Sequence, residues 1–548
     1  MIGVLSTRLR VFSAWVRTMA RLGEHIPRLL LERGIDIAFG VPGFSTLEIY
    51  RGLQGSGLRH FAPRHEQGAG FMADGYARAT GNAAACFASA GPGTANLAAA
   101  LRQAQNCSIP MLVLCAKDVA DRAGVADPQM TTRTQAEGER RANGFSRWTR
   151  LIGAPEDLPA ALDDAVYQFR MGRPGPVVLD IPTDLLTTEV GAFAADPVKP
   201  EPPEGPSAAE FAEIVMRLET TKAPLLVLGG GAVGMGVENA VALAERLVAP
   251  VMLTSNARGL LPPEHPLLYT GCLATAPARR LIADADAVFA IGTEFSPREW
   301  GPDPLPFRTD ALIRMDIDSA QLSANATPAV GVVGDASRAA PHLLKSLAQR
   351  EAARPDLSGA QAEADALMAQ RLSRFRPLME SIWAHLPQCI VVGDVTEPAI
   401  FGMKAMTAPG PRRWWTAASG FAAPGYALPA AIGAKLGAPR RPVVAVIGDG
   451  GALYTLPEIA AAVEARTPIV MIVWNNNGHA GLRDAMSAAR IRVEHAEPMA
   501  VDFHALARGF GAAYQRVSAP EFLREGLRAA IARTTPTLLE LRDEYWFG

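Results

Sequence analysis

With 548 residues, 49% apolar and 20% charged, and a formal net charge of −2, the chain has the length for about three domains and the balance of an ordinary globular protein. That near-neutral charge leaves no field to gather nucleic acid or an anionic membrane surface, so the expected partner is a small molecule. Cys86, Cys107, Cys115, Cys272 and Cys389 lack C-x-x-C or metal-ligand spacing, which argues against a disulfide framework or structural zinc, and no apolar run reaches the roughly eighteen residues a membrane helix needs.

In chain order, the first feature is 1-MIGVLSTRLRVFSAWVR-17, basic and free of acid, read as an upstream extension rather than a transit peptide; the expected localisation is cytoplasmic. From Met19 to Leu186 helical stretches alternate with short apolar ones: a helix over 21–34, a strand at 35–40, a helix after 64-RHEQGAGF, and strands at 84–89, 110–115 and 176–182. This alternation predicts a parallel sheet covered on both faces. A Pro-, Gly- and acid-rich stretch, 187–210, reads as a linker.

A second α/β unit opens at 224-PLLVLGGGAVG-234 and continues through strands at 249–254, 287–292 and 312–318. The charged helical tract 336–359 leads to a third, with strands at 389-CIVVGD-394, 442-PVVAVIGD-449, 468-PIVMIVW-474 and 537-TLLELR-542. The fold class expected is therefore α/β, as three parallel-sheet domains over 19–186, 205–345 and 360–548.

The chemistry-bearing residues cluster in two places. The strand 442–449 delivers Asp449 at its C-terminal end, followed by Gly450 and Gly451, and 455-TLPE-458 reads as a capping box opening the next helix. If the strand ending at Trp474 is its neighbour, 475-NNNG-478 emerges on the same sheet edge. One carboxylate, one amide oxygen and one carbonyl, completed by phosphate and water, suit Mg²⁺. Each half alone has a plainer reading, as a turn-forming Asp or as Asn in left-handed positions. The second cluster is 64-RHEQGAGFMADGYARATG-81, where Glu66 stands among small and apolar residues. Such an acid is either a helix N-terminal residue or a functional group with a raised pKa or a hydrogen bond to a buried base.

Together these residues resemble the thiamine-diphosphate-dependent 2-oxo acid decarboxylases and acetolactate synthases, whose motif is Gly-Asp-Gly, about 25 residues, then Asn-Asn. Here 448-GDG-450 precedes 475-NN-476 by 24 residues, 451 to 474. The resemblance covers nearly the whole chain from Met19 and implies pyrimidine-binding, central Rossmann-like and diphosphate-binding domains. It implies that Asp449, Asn476 and the Gly478 carbonyl hold Mg²⁺, with Gly448, Gly450, Gly451, His479 and Ala480 around the diphosphate, and that Asn475 and Asn477 shape the turn. It also implies that Glu66 bonds the pyrimidine N1′ and activates the cofactor. Further, 39-FGVPG-43 and 91-GPGTAN-96 look like the family's cofactor-facing loops, which brings in Pro42, Gly43, Gly93 and Asn96. Because family members build the site from two subunits, a homodimer is the minimum unit implied, and a homotetramer the expected assembly.

Two departures qualify the resemblance. The pyrimidine-binding stretch 419-SGFAAPGYALPAAIGA-434, with Gly420, Phe421 and Ala423, carries Pro424 where a large aliphatic wedge is usual, so the wedge is shallower or Phe421 substitutes. The exit 481-GLRDAM-486 departs from acetolactate synthases, and His479 is read either as facing substrate or as a solvent-side turn residue. The glycines 229-GGGAVG-234 serve either a dinucleotide, with FAD as the family's option, or a tight turn, which we favour. The wording of 45–81 and 474–486 resembles 5-guanidino-2-oxopentanoate (2-ketoarginine) decarboxylases, whose cationic substrate implies an acidic partner among Asp484, Asp118 and Glu397. The function expected is non-oxidative decarboxylation of a 2-oxo acid to an aldehyde. A carboligase, or a cofactor-binding protein without turnover, is the alternative.

Overall fold

The computed structural model describes residues 19–117, 145–193, 206–368, 370–496 and 500–547; the N-terminal extension and Asp118 lie outside the described residues. The chain divides into two compact units, Met1–Pro202 and Pro203–Gly548. The division falls inside the predicted linker, and the second unit holds two of the three six-stranded sheets.

In the first unit six parallel strands pair in the spatial order Arg59–Phe61, Ile37–Gly40, Ala84–Ala88, Met111–Lys117, Pro176–Pro182, Trp148–Leu151. The four inner strands are the apolar runs read from the sequence, buried on both faces. Helices Leu22–Glu32 and Asp157–Met171 cover one face through apolar side chains such as Ile26, Leu29 and Leu162, while Glu66–Thr80 lies within the fold with residues 68–78 buried. That helix carries a buried Arg78–Asp74 pair at 2.6 Å, so its charged residues answer one another internally. The order of connection reverses between Ile37–Gly40, whose successor lies on one side, and Ala84–Ala88, whose successor lies on the other. Ligand crevices of open α/β sheets form beyond the carboxyl ends of strands at such a switch point.

In the second unit the first sheet runs Leu268–Tyr269, Val251–Leu253, Pro224–Leu228, Ala287–Ile291, Leu312–Asp316, Val330–Val333. Its Gly-rich turn has a packing explanation: a Cβ on Gly229 would collide with the Gly292 carbonyl oxygen, and one on Gly231 would lie 2.9 Å from Gly292 Cα. The second sheet runs Trp414–Thr416, Ile390–Gly393, Val443–Gly448, Val470–Asn475, Thr537–Arg542, Ala513–Val517. Its switch point lies between Ile390–Gly393 and Val443–Gly448. The layers of the two sheets are tied by buried Arg258, whose guanidinium donates to the Met403 carbonyl at 2.9 Å and to that of Met406, at the C-terminal end of helix Glu397–Ala405. No helix among the described residues is long and apolar enough to cross a membrane.

Candidate active site

In the first unit, the loops leaving Ile37–Gly40 and Ala84–Ala88 meet over Ser89. A Cβ on Gly43 would lie 3.0 Å from Ser89 Cβ, and one on Gly93 2.7 Å from Ser89 Oγ and 3.3 Å from Glu66 Oε1. Glycine at 93 thus lets the loop pass close over the carboxylate without displacing Ser89 or Glu66. Glu66 opens helix Glu66–Thr80, and His65 Nδ1 caps it by accepting from the Gln67 N–H at 3.1 Å. Its carboxylate is half-buried: Asn96 Nδ2 donates to Oε2 at 2.9 Å, and no described residue donates to Oε1. Glu66 stands at the helix N-terminus, as the plainer reading has it, and its carboxylate is also hydrogen-bonded, to an amide rather than to a base. The arrangement leaves one fixed, accessible oxygen able to take a proton or an N–H donor from a ligand. Pro42 is exposed, and Gly43 binds Thr46 in both directions, its N–H donating to the hydroxyl at 3.1 Å and its carbonyl accepting at 3.0 Å.

In the second unit, Val443–Gly448 and Val470–Asn475 are parallel neighbours with Gly448 opposite Trp474, so the two halves of the motif emerge side by side. Asp449 is buried at 8% exposure, and its Oδ2 accepts from the Gly478 N–H at 2.6 Å. Burial pushes its carboxyl above the usual range, against the pull of backbone N–H groups from Gly478, Gly450 and Asn476. Among the described residues no basic side chain pairs with it. One end of the Asn476 amide lies 3.3 Å from Asp449 Oδ1 and 2.8 Å from the Gly478 carbonyl oxygen. With nitrogen in that place the amide bridges the two; with oxygen there, three oxygens converge and call for a cation or a hydrogen donor between them. This donor set fits Mg²⁺, which favours carboxylate, amide and carbonyl oxygens and keeps further positions for phosphate and water.

The other two asparagines shape the turn. The Asn477 N–H donates to Asn475 Oδ1 at 3.0 Å, Asn477 adopts φ 57°, and Gly478 follows at φ 129°. Asn475 Nδ2 in turn donates to Glu540 Oε1 at 2.7 Å. Glu540 is a buried hub that also accepts from Tyr514, from Arg516 at 3.3 Å and from Arg542 at 3.1 Å. Burial works to raise its pKa, yet hydrogen bonds from Tyr514, Asn475 and Arg542 leave it lowered.

One expectation is corrected here. The helix after the Gly-Asp-Gly turn is Glu458–Glu464 with Pro457 at its N-cap position, and a four-residue helix, Asp449–Ala452, comes first. Thr455 is no cap: its hydroxyl donates to the Gly425 carbonyl at 2.7 Å. The two glycines after Asp449 are closely packed. A Cβ on Gly450 would lie 2.5 Å from the His479 ring and one on Gly451 3.2 Å from Asp394 Oδ1, so both make room for protein groups. His479 is exposed, its ring over Gly450 and its backbone N–H bonded to the Ala496 carbonyl at 3.0 Å; Ala480 begins helix Ala480–Ala488.

On the stretch read as pyrimidine-binding, Gly420 and Ala423 are buried whereas Phe421 and Pro424 are exposed on this single chain. The turn contains left-handed Ala422 (φ 61°) and Gly425 (φ 82°). A residue not singled out in the sequence organises it. Asp394, 1% exposed, accepts from the N–H groups of Val395 at 2.8 Å, Gly425 at 3.1 Å and Ala427 at 2.8 Å. Burial pushes its carboxyl up to about 6. A signal is present in the chain, because 393-GD-394 ends one inner strand as 448-GD-449 ends the next. Glu540 likewise stands out as a lone acid within the apolar run 537-TLLELR-542.

Of the three acids read as partners for a cationic substrate, Glu397 lies 3.7 Å from Arg374, which also meets Asp543 at 3.2 Å and covers the Phe547 ring at 4.4 Å. Asp484 is exposed on helix Ala480–Ala488.

Comparison with known proteins agrees with this anatomy. Family models for the N-terminal TPP binding domain, the central domain and the C-terminal TPP binding domain of thiamine pyrophosphate enzymes match residues 20–137, 211–343 and 394–541. The chain is 37% identical to the probable 2-ketoarginine decarboxylase AruI of Pseudomonas aeruginosa, over 98% of this chain and 97% of that protein. It is 30% identical to the acetolactate synthase isozyme 1 large subunit of Escherichia coli, over 98% and 95%. A solved thiamine diphosphate-dependent 4-hydroxybenzoylformate decarboxylase of Rhodococcus jostii RHA1 shares the fold, with a TM-score of 0.79 at 23% identity over 95% of this chain and 99% of that one. Three matched domains, in the order and places where the sheets and both clusters lie, establish that the chain belongs to the thiamine pyrophosphate enzyme family.

Proposed function

We propose that this chain is a thiamine-diphosphate- and Mg²⁺-dependent decarboxylase that cleaves a 2-oxo acid to CO₂ and an aldehyde. The observation that carries the reading is the convergence of the Asp449 carboxylate, the Asn476 amide and the Gly478 carbonyl on one point. When bound, thiamine diphosphate supplies the electron sink for breaking the bond between C1 and C2. In this reading Asp449, Asn476 and Gly478 hold the cation, Gly448, Gly450, Gly451, His479 and Ala480 surround the diphosphate, and Gly420, Phe421, Ala423 and Pro424 receive the pyrimidine. Glu66, with Oε2 tied to Asn96 and Oε1 open, shares a proton with the pyrimidine N1′, while Pro42, Gly43 and Gly93 complete its surroundings.

The substrate we favour is 5-guanidino-2-oxopentanoate, on the likeness to the Pseudomonas aeruginosa protein, with Asp484 as partner of the guanidinium because it is exposed on the helix that leaves the metal turn. We further infer a homodimer as the minimum unit and a homotetramer as the assembly. Supporting this, large apolar side chains beside both clusters are exposed on the single chain: Phe44 and Leu47 in the first unit, Tyr454 and Leu482 in the second. The likeness to acetolactate synthase keeps carboligation as the second reading. The test is CO₂ release by the purified chain with thiamine diphosphate and Mg²⁺ across a panel of 2-oxo acids, singly and in pairs, with products read by mass spectrometry. An aldehyde from the guanidino acid alone supports the proposal; a condensed product only from pairs favours the carboligase.

A further inference from the structure

The sheet edge that carries the metal turn also carries Asp394, a buried acid whose surroundings ask for an explanation. It is enclosed, burial raises its pKa with no basic side chain opposing, and both its oxygens are used by backbone N–H groups. A buried carboxylate without a cation is costly, and an apolar residue of similar volume would serve the core at least as well. What an apolar residue cannot do is answer the N–H groups of Gly425 and Ala427, which flank Tyr426 just after Pro424. The same turn is gripped from its other side by the Thr455 hydroxyl on the Gly425 carbonyl, and Gly425 is confined there, since a Cβ on it would lie 2.7 Å from that of Tyr454. The backbone of Asp394 is tied to the start of the turn as well: its carbonyl accepts from the Thr416 hydroxyl at 3.0 Å, and Thr416 leads into Ala417–Ser419.

We propose that Asp394 is a positioning residue that sets the turn 420–427, and through it the affinity for the ring half of thiamine diphosphate far more than for the diphosphate half. The inference rests on the function proposed above. Because proline at 424 offers no N–H of its own, the turn depends on the amides that follow it for its anchorage. Asp394 packs against Gly451 but shares no hydrogen bond with Asp449, Asn476 or Gly478, so the two halves of the cofactor are answered mainly by different carboxylates.

The test uses the purified full chain and two probes, thiamine diphosphate with Mg²⁺ and inorganic pyrophosphate with Mg²⁺, by titration calorimetry. In Asp394→Ala the affinity for thiamine diphosphate should fall roughly ten- to hundredfold, the effect of leaving a buried donor unanswered, while that for pyrophosphate stays within about twofold. Asp394→Asn, which keeps the volume and one acceptor, and Thr455→Val, which acts from the other side of the turn, should show the same split at smaller size, and they carry the test if the alanine variant does not fold. Equal loss of both ligands, or no loss of either, overturns the inference. A wild-type chain that binds pyrophosphate but not thiamine diphosphate overturns the functional reading and this inference with it, whereas tight wild-type binding left unchanged in all three variants overturns the inference alone.

Discussion

The cluster around Glu66 and the turn around Asp449 each present one carboxylate that the proposed function uses, and they treat it in opposite ways. Glu66 is half-buried, fixed by one amide and left with an open oxygen. Asp449 is buried, gripped by backbone N–H groups of a turn that is itself tied through Asn475 to Glu540. A group that must give and take a proton needs access and a partner that does not neutralise it, whereas a group that must hold a cation needs rigidity and an oxygen-rich neighbourhood. The same residue chemistry is thus specialised by its surroundings.

The sharpest way to break this contrast is Glu66→Gln. It should lower turnover by about 10² to 10⁴, the range for a general acid–base group, with cofactor affinity changed far less; parallel steady-state kinetics and calorimetry check it. Asp449→Asn should do the reverse, weakening Mg²⁺-dependent cofactor binding by at least roughly a hundredfold, since it removes a charged ligand from a buried site, and excess Mg²⁺ should restore part of the activity. Asn96→Ala leaves the Glu66 carboxylate without its anchor, and a drop in kcat of about tenfold with unchanged binding of pyrophosphate is expected. If Asn96→Ala has no effect on kcat, the open oxygen of Glu66 is not set by that amide.

The smallest effect concerns pH and stability. Asp394 has a folded-state pKa raised to about 6 from the ordinary 3.8, so its contribution to stability is fully present below about pH 4 and is lost as pH rises through about 6. The unfolding free energy of the wild type minus that of Asp394→Asn should therefore fall between about pH 4 and pH 7 and be flat above. Chemical denaturation across that window reads it directly; a difference that rises with pH would show the carboxylate to be better satisfied than its surroundings indicate.

What is legible in the sequence follows from burial. All twelve inner strands of the three sheets are visible as apolar runs, such as 224-PLLVL-228 and 470-VMIVW-474, because parallel strands covered on both faces leave little room for polar residues. The six edge strands are not. Arg59–Phe61, Trp148–Leu151 and Ala513–Val517 carry charged or polar side chains, Val330–Val333 alternates buried and exposed, and Leu268–Tyr269 and Trp414–Thr416 are too short to show a period. The turn at 475–478 is legible because its motif spacing and strand register coincide. Asp394 and Glu540 stand out only as acids at the end of or within apolar strands, and their roles are not legible, since a buried acid is recognised by the donors around it, and those come chiefly from residues 425–427 and 475, remote in sequence. Thr455 shows the converse error: a plausible local cap is overridden by a tertiary hydrogen bond to Gly425.

The central claim is that both clusters serve one decarboxylation, and the most direct measurement is CO₂ released from 5-guanidino-2-oxopentanoate by the wild type and Glu66→Gln, each shown by calorimetry to be loaded with thiamine diphosphate and Mg²⁺. The account predicts release by the wild type, abolished by chelation of the metal, and a loss of about 10² or more in the variant at equal loading. Equal rates in the two loaded proteins, or no release by the wild type from this or any 2-oxo acid of the panel, would contradict it.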